Sequence, residues 1–92
     1  MQKIVITVSG HDQPGMVAAI SLVIAKCRGN ILDLTQRISG QHFVMLLVVD
    51  IQNAIVDLEV FQKILEQIAK ELNIKINIQH QDVFRYMHRI TP

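Results

Sequence analysis

The stretch TVSGHDQPGMVAAI, residues Thr7–Ile20, contains the change of pattern that organises the whole chain. Before the change, Ile4, Ile6 and Val8 alternate with their neighbours, which is the period of a β-strand. After it, apolar residues recur at intervals of three and four, which is the period of an α-helix. The change falls at GHDQPG, residues 10–15, so a Gly-Pro-rich connection leads from a strand into a helix.

Two strands are predicted after that helix. NILDLTQRI, residues 30–38, alternates between apolar and polar side chains, which predicts a strand with one apolar face. The apolar face comprises Leu32, Leu34 and Ile38, and the polar face comprises Asp33, Thr35 and Arg37. A turn at SGQH, residues 39–42, leads to FVMLLVVD, residues 43–50. That segment is apolar on both faces, a pattern typical of a strand in the middle of a sheet.

A second helix and a final strand complete the order βαββαβ. Asp57 is placed to cap a helix whose apolar side repeats at helical spacing as far as Leu72. IKINIQ, residues 74–79, alternates like a half-exposed edge strand. The order predicts an α+β, ferredoxin-like fold. Because crossover connections are right-handed, both helices are expected on one face of a four-stranded antiparallel sheet.

Length and composition limit the classes of protein and partner. The 92 residues predict one domain, 1–92, with its core elements within 1–80. Half of the residues are apolar and 18% are charged, which favours a folded protein over a disordered one. A net charge of +1 favours neither nucleic acid nor membrane as a partner. One cysteine and an N-terminus without a leader pattern predict a cytoplasmic protein.

DVFRYMHRI, residues 82–90, is predicted to form a short C-terminal helix. Val83, Phe84 and Met87 fall at helical spacing within it, and so short a helix needs a surface on which to pack. The open face of the sheet is a suitable surface, since four apolar side chains are expected there: Val5, Val44, Leu46 and Val48. The helix packs either on its own sheet or on a second copy of the chain. In the second case Val83, Phe84 and Met87 belong to a homodimer interface.

The Gly-Pro-rich connection has two interpretations. A helix start offers unpaired N–H groups and the positive end of the dipole, which suit a carboxylate. Gly10 and Gly15 allow backbone to approach a ligand closely, and Pro14 suits the first turn of the helix. Asp12 can cap the helix or accept a hydrogen bond from an ammonium group. Gly, Asp and Pro also build ordinary turns that bind nothing, so the residues alone leave both interpretations open.

Three motifs together resemble an ACT domain: GHDQPG after strand one, AKCRGNILDLTQ between helix one and strand two, and FVMLLVV. The resemblance runs from Met1 to about Met87, and the chain is especially similar to the small stand-alone ACT proteins of bacteria and archaea. The N-terminal regulatory part of formyltetrahydrofolate deformylase and the glycine cleavage system repressor share the pattern. It implies a non-enzymatic regulatory module that binds an amino acid or similar small ligand, commonly between two ACT domains. At matching positions the implied ligand-binding residues are Gly10, His11, Asp12, Gln13, Pro14, Gly15, Met16, Asn30 and Ile31.

Neither catalytic residues, nor a metal site, nor a cofactor is predicted. Cys27 lies on the apolar stripe of helix one, where a free cysteine behaves as a small buried hydrophobe. The serines lack the context of a nucleophile elbow. The histidines stand at none of the known metal-site spacings. They are His11, His42, His80 and His88.

A protein-interaction regulator without a small ligand is the alternative function. Arg85, His88 and Arg89 lie on one side of the predicted C-terminal helix and can meet an acidic protein partner. Nucleic acid is a less favoured partner, because the net charge is near zero and no strand carries aromatic residues at stacking spacing. The resemblance to a repressor keeps this alternative open.

Overall fold

The computed structural model describes residues 2–80, in which the elements follow the predicted order. The strands form one antiparallel sheet in the order β2-β3-β1-β4, so the ferredoxin-like prediction is confirmed. The predicted C-terminal helix, with Val83, Phe84 and Met87, lies outside the described residues. The elements are β1 (Lys3–His11), α1 (Met16–Lys26), β2 (Asn30–Ser39), β3 (His42–Asp50), α2 (Leu58–Leu72) and β4 (Ile74–His80).

The core lies between the two helices and one face of the sheet. The central strands β1 and β3 each contribute alternate apolar side chains to it, as their patterns predicted. Cys27 is buried in the same cluster, which confirms its place as a core residue. The strand residues of the core are Ile4, Ile6, Val8, Phe43, Met45, Leu47 and Val49, and the helix residues include Met16, Ile20, Ile24, Phe61 and Leu65.

The opposite face of the sheet, here called the outer face, carries the remaining side chains of β1 and β3. The strand register aligns Val5 with Val48, Thr7 with Leu46 and Ser9 with Val44. The register confirms that the four predicted apolar side chains lie on this face, where Val5 is buried and both Leu46 and Val48 are half-buried. Val44 is 41% exposed.

Strand β2 forms one edge of the sheet. Leu34 and Ile38 are paired with Leu47 and Phe43, so they lie on the face that the helices cover. They nevertheless stay 37% and 49% exposed, because the edge extends beyond the cover of the helices. Leu32 lies at a register shift, a β-bulge, and does not share the paired alternation predicted for it.

Helix α1 ends at a residue with a left-handed backbone that is not a glycine. Arg28, which precedes Gly29, has a φ of 61°. The Gly29 N–H donates to the carbonyl of Ile24 at 2.9 Å, which completes a Schellman motif. Gly29 is required by space, since a Cβ there would lie 2.9 Å from Ile24 and 3.1 Å from Val49.

Helix α2 is amphipathic and capped at both ends. The Asp57 carboxylate accepts a hydrogen bond from the Val60 N–H at 2.9 Å, which confirms the predicted N-cap. Glu59 lies in the first turn and Lys70 in the last, so both charges complement the helix dipole. Within residues 2–80, neither α1 nor α2 has the length and apolar character needed to span a membrane.

Candidate functional site

The connection between β1 and α1, residues 12–15, ends in a glycine with a left-handed backbone. Gly15 is the N-cap of α1, with φ 78° and ψ 3°. A Cβ at Gly15 would meet no heavy atom within 4 Å, so the space beside it is open. Of the two roles open to Asp12, capping the helix is excluded, because Gly15 is the N-cap. The prediction that Pro14 lies in the first turn is wrong, because α1 begins at Met16.

The start of α1 presents backbone N–H groups that have no partner within the helix. The Ala19 N–H makes the first intrahelical bond, to the carbonyl of Gly15 at 2.9 Å. The amides of residues 16–18 precede it, and neither a side-chain cap nor an acidic residue in the first turn neutralises them. The side chain of Met16 is buried in the core, so this residue offers its backbone to a ligand. The arrangement suits a carboxylate.

Gln13 fixes the connection to the end of α2. Its side-chain amide donates to the carbonyl of Leu72 at 2.8 Å, and the bond is partly buried. The Leu72 carbonyl lies in the last turn of α2, where carbonyl groups lack helical partners. Gln13 therefore positions the connection, a structural role that its sequence context did not reveal.

Asp12 anchors the same connection on the other side while its side chain remains accessible. Its N–H donates to the carbonyl of Gln41, in the turn between β2 and β3, at 2.8 Å. The carboxylate is exposed and has no hydrogen-bond or ion-pair partner within residues 2–80. It is available to an ammonium group. His11, also exposed, ends β1 directly opposite His42.

Gly10 has a packing role. It is paired with Ile74 across β1 and β4, and a Cβ at Gly10 would lie 2.8 Å from the Ile74 Cγ2 and 3.3 Å from the Ile74 Cα. The close approach of β4 therefore accounts for this glycine without a ligand. The sequence could not show it, because the register between β1 and β4 is set by the tertiary fold.

Asn30 and Ile31 lie far from the connection within one chain. Asn30 is paired with Asp50, and Asp50 with Lys3, the first residue of β1. The connection follows His11, the last residue of β1. At about 3.3 Å per residue, the two ends of β1 are roughly 26 Å apart. Within a single chain, Asn30 therefore lies far from the start of α1. Of the predicted ligand-binding residues, the fold of one chain brings together only residues 10–16.

Among residues 2–80, no group of three or more His, Cys, Asp or Glu side chains is arranged to hold a metal ion. Chemically, the start of α1 combines an open space, a set of N–H donors and a nearby carboxylate. These groups can bind opposite charges of one small molecule. They contain no nucleophile paired with a base.

Comparison with known proteins identifies relatives over almost the whole chain. A family model described as ACT domain matches residues 2–79. UPF0237 protein MJ1558 of Methanocaldococcus jannaschii is 46% identical over 90 residues, which cover 98% of this chain and 100% of that protein. The ACT domain protein from Streptococcus pneumoniae has a similar structure, with a TM-score of 0.78 and 36% identity over 90% of this chain and 93% of that one.

Two more distant structures share the fold. The formyltetrahydrofolate deformylase from Burkholderia mallei has a TM-score of 0.80 and 20% identity, over 87% of this chain and 28% of that chain. A putative glycine cleavage system transcriptional repressor has a TM-score of 0.73 and 20% identity, over 85% of this chain and 44% of that chain. At these identities the similarity concerns the fold alone.

Proposed function

This chain belongs to the ACT domain family, and from that premise we propose that it is a non-enzymatic regulatory module that binds a free amino acid at the start of α1 in a homodimer. ACT domains are regulatory, often bind small ligands and commonly dimerise. The observation that supports this function best is the uncapped start of α1 beside the open space at Gly15.

The two charges of an amino acid match the two kinds of group at this position. The ligand carboxylate accepts hydrogen bonds from the amides of residues 16–18, where the helix dipole favours an anion. The ligand ammonium group donates to the unpartnered carboxylate of Asp12. Gln13 and the Asp12 N–H hold the connection to α2 and to the β2–β3 turn, so the site is largely formed before the ligand binds.

A second copy of the chain would complete the site. In a twofold dimer the same surface occurs on both copies, so two β2 edges can pair only in an antiparallel direction. That pairing places Asn30 of each copy beside Ser39 of the other, at the end of the sheet where the β1–α1 connection lies. The long distance between Asn30 and the connection within one chain is then bridged by the partner.

The β2 edge also has the apolar surface that such a dimer needs. Leu34 and Ile38 are exposed on the helix side of the edge, and Leu22 of α1 is 55% exposed. A ten-residue edge strand with unpaired backbone groups and apolar side chains is a natural pairing surface. A second copy paired at this edge would bury Leu34 and Ile38, and packing of its helix against α1 would bury Leu22 as well.

A thermal-shift screen of the purified protein against the twenty amino acids tests the ligand. At one hundred times its Kd, a ligand stabilises the native state by about 2.7 kcal/mol. Gly15→Ala should lose this stabilisation, because it disfavours φ 78° and places a methyl group in the open space. Gly40→Ala is the matched control, since Gly40 has φ 61° and a similarly open surrounding.

Gly40→Ala should keep the ligand response, although it disfavours the left-handed backbone of Gly40 to a similar degree. Full retention of the response by Gly15→Ala would contradict a site at this glycine. A folded dimer without any response in the screen would contradict amino-acid binding, and would support the alternative of a regulator that acts through protein contacts alone.

Subunit mixing tests whether the site is shared between two copies. Gly15→Ala and Asn30→Ala homodimers should each bind the screened amino acid weakly. In a mixed dimer one site carries both substitutions and the other carries neither, so mixing the variants should restore one of the two sites. If mixing restores no binding, Gly15 and Asn30 do not contribute to one site from different copies.

A further inference from the structure

A cavity opens on the outer face, at the end of the sheet where β1 ends and both β3 and β4 begin. Its volume is about 350 Å³, within the usual range for small-molecule sites. The strand register places Ser9 beside Lys75, on the face opposite the helices. The residues that line it are Ser9, Gly10, His42, Asn73, Ile74 and Lys75.

Positive charge collects at this end of the outer face. One row across the sheet reads Arg37, Val44, Ser9 and Lys75, and the next row contains His42 opposite His11. Neither of these two rows contains an acidic residue, and the Asp12 carboxylate follows His11 just beyond the second row. The acidic side chains of the outer face belong to rows nearer the other end of the strands: Asp33 is in the row of Val5, and Asp50 is in the row of Lys3.

We infer that this cavity is a second ligand site, specific for a small phosphate-bearing metabolite and separate from the start of α1. The Lys75 ammonium group and the His42 imidazole can donate charge-assisted hydrogen bonds to phosphate oxygens, and the Ser9 hydroxyl can donate a third. Gly10, between Ser9 and His11, contributes backbone to the lining of the cavity.

The same lining limits the rest of the ligand. Among the described lining residues the only aromatic ring is the His42 imidazole, which is assigned here to the phosphate, so a small sugar or acid phosphate fits better than a nucleotide. Val44 lies between Arg37 and Ser9 in the cationic row, and the half-buried Leu46 lies in the next outer-face row, nearer the middle of the sheet. The ligand is therefore expected to have its phosphate at Lys75 and a short neutral body.

The site does not depend on the proposed amino-acid function. Lys75 and His42 lie on the outer face, whereas α1 covers the other face. The two sites also differ in their donors, which are side chains here and backbone amides at α1. Loss of either site can thus be measured while the other is intact.

Titration of the 15N-labelled full chain with inorganic phosphate, followed by NMR at constant ionic strength, tests the inference. Saturable shifts are expected at the amides of Ser9, Asn73 and Lys75. Lys75→Gln should weaken phosphate binding about tenfold, the effect of losing one hydrogen bond to a charged group. Lys3→Gln is the matched control, because it removes the same charge from the opposite end of the same face.

Lys3→Gln should leave phosphate affinity unchanged, and Lys75→Gln should leave any amino-acid response in the thermal-shift screen unchanged. The inference is overturned if the phosphate shifts centre on residues 16–18, since that result locates the anion at the start of α1. The inference is also overturned if both lysine variants weaken phosphate binding by the same factor, because that result indicates non-specific attraction of phosphate to the protein's positive charge.

Discussion

Helices α1 and α2 cover the same face of the sheet, yet they differ in how far the described chain caps their ends and buries their apolar side chains. Helix α2 has a carboxylate cap, an acidic first turn, a basic last turn and one apolar side, which packs on the core. Helix α1 has neither a side-chain cap nor an acidic first turn. Its sequence, MVAAISLVIAK, is apolar apart from Ser21 and Lys26, and it keeps an exposed Leu22.

The difference indicates that α1 is the helix that binds other molecules. A helix that is apolar all round is normally buried, and the unpaired N–H groups at a helix start normally bind a partner group. Within residues 2–80, α2 has its apolar side in the core and its start capped, whereas α1 keeps Leu22 exposed and its start without a side-chain cap. Under the proposed function, a second copy covers the exposed apolar part of α1 and a ligand carboxylate occupies its start.

The same leucine deletion in the two helices should give the largest contrast. Leu65→Ala in α2 removes a fully buried side chain and should lower the free energy of unfolding by about 2–5 kcal/mol. Leu22→Ala in α1 should cost less than about 0.5 kcal/mol in the monomer, because the side chain is exposed. Urea denaturation at several protein concentrations measures both effects.

Leu22→Ala should in addition reduce the dependence of stability on protein concentration, since a dimer gains stability as concentration rises. An unchanged concentration dependence would remove Leu22 from the dimer interface. A large loss of stability at low concentration would instead show that Leu22 serves the core of one chain.

Removal of the α2 cap should have an intermediate effect. Asp57→Ala deletes the acceptor of the Val60 N–H and should lower the free energy of unfolding by about 1 kcal/mol. Asp12→Ala is the control at the other helix start, where the carboxylate caps nothing, and its stability without ligand should stay within about 0.5 kcal/mol of the parent. Equal losses in the two variants, measured by thermal unfolding, would contradict the contrast between the helix starts.

The C-terminal ends of the two helices should give the smallest effect. Arg28 after α1 and Asn73 after α2 both have a left-handed backbone, with φ 61° and 55°. Arg28→Gly should raise the free energy of unfolding by about 0.5–1 kcal/mol, because a long side chain is strained there. Asn73→Gly should change it little, since asparagine tolerates this conformation. A larger gain from Asn73→Gly in urea denaturation would reverse that order.

The fold was predictable because the elements have clear hydrophobic periods and recognisable residues at their ends. The alternation in β1, the double-sided apolar run in β3 and the Asp57 cap each predicted a feature that the structure confirms. The bulge at Leu32 and the left-handed Arg28 were not predictable, because neither residue type signals its conformation.

The position of the candidate site in the fold was predictable, but the roles of its individual residues were less so. The helix start after GHDQPG is present, but Gly15 takes the position expected of Asp12. Gln13 binds a carbonyl 59 residues further along the chain, and Gly10 makes room for Ile74. Such roles depend on contacts between distant segments, which no local pattern contains.

The molar mass in solution, measured by light scattering on three matched variants, tests the central claim most directly. The parent chain of 10.5 kDa and Ile55→Lys, a control at an exposed isoleucine of the β3–α2 connection, should both have twice the monomer mass. Ile38→Lys, at the β2 edge, should have the mass of one chain, and Phe84→Asp tests the alternative interface at the predicted C-terminal helix. A dimeric Ile38→Lys together with a monomeric Phe84→Asp would contradict the account and place the interface at the C-terminal segment.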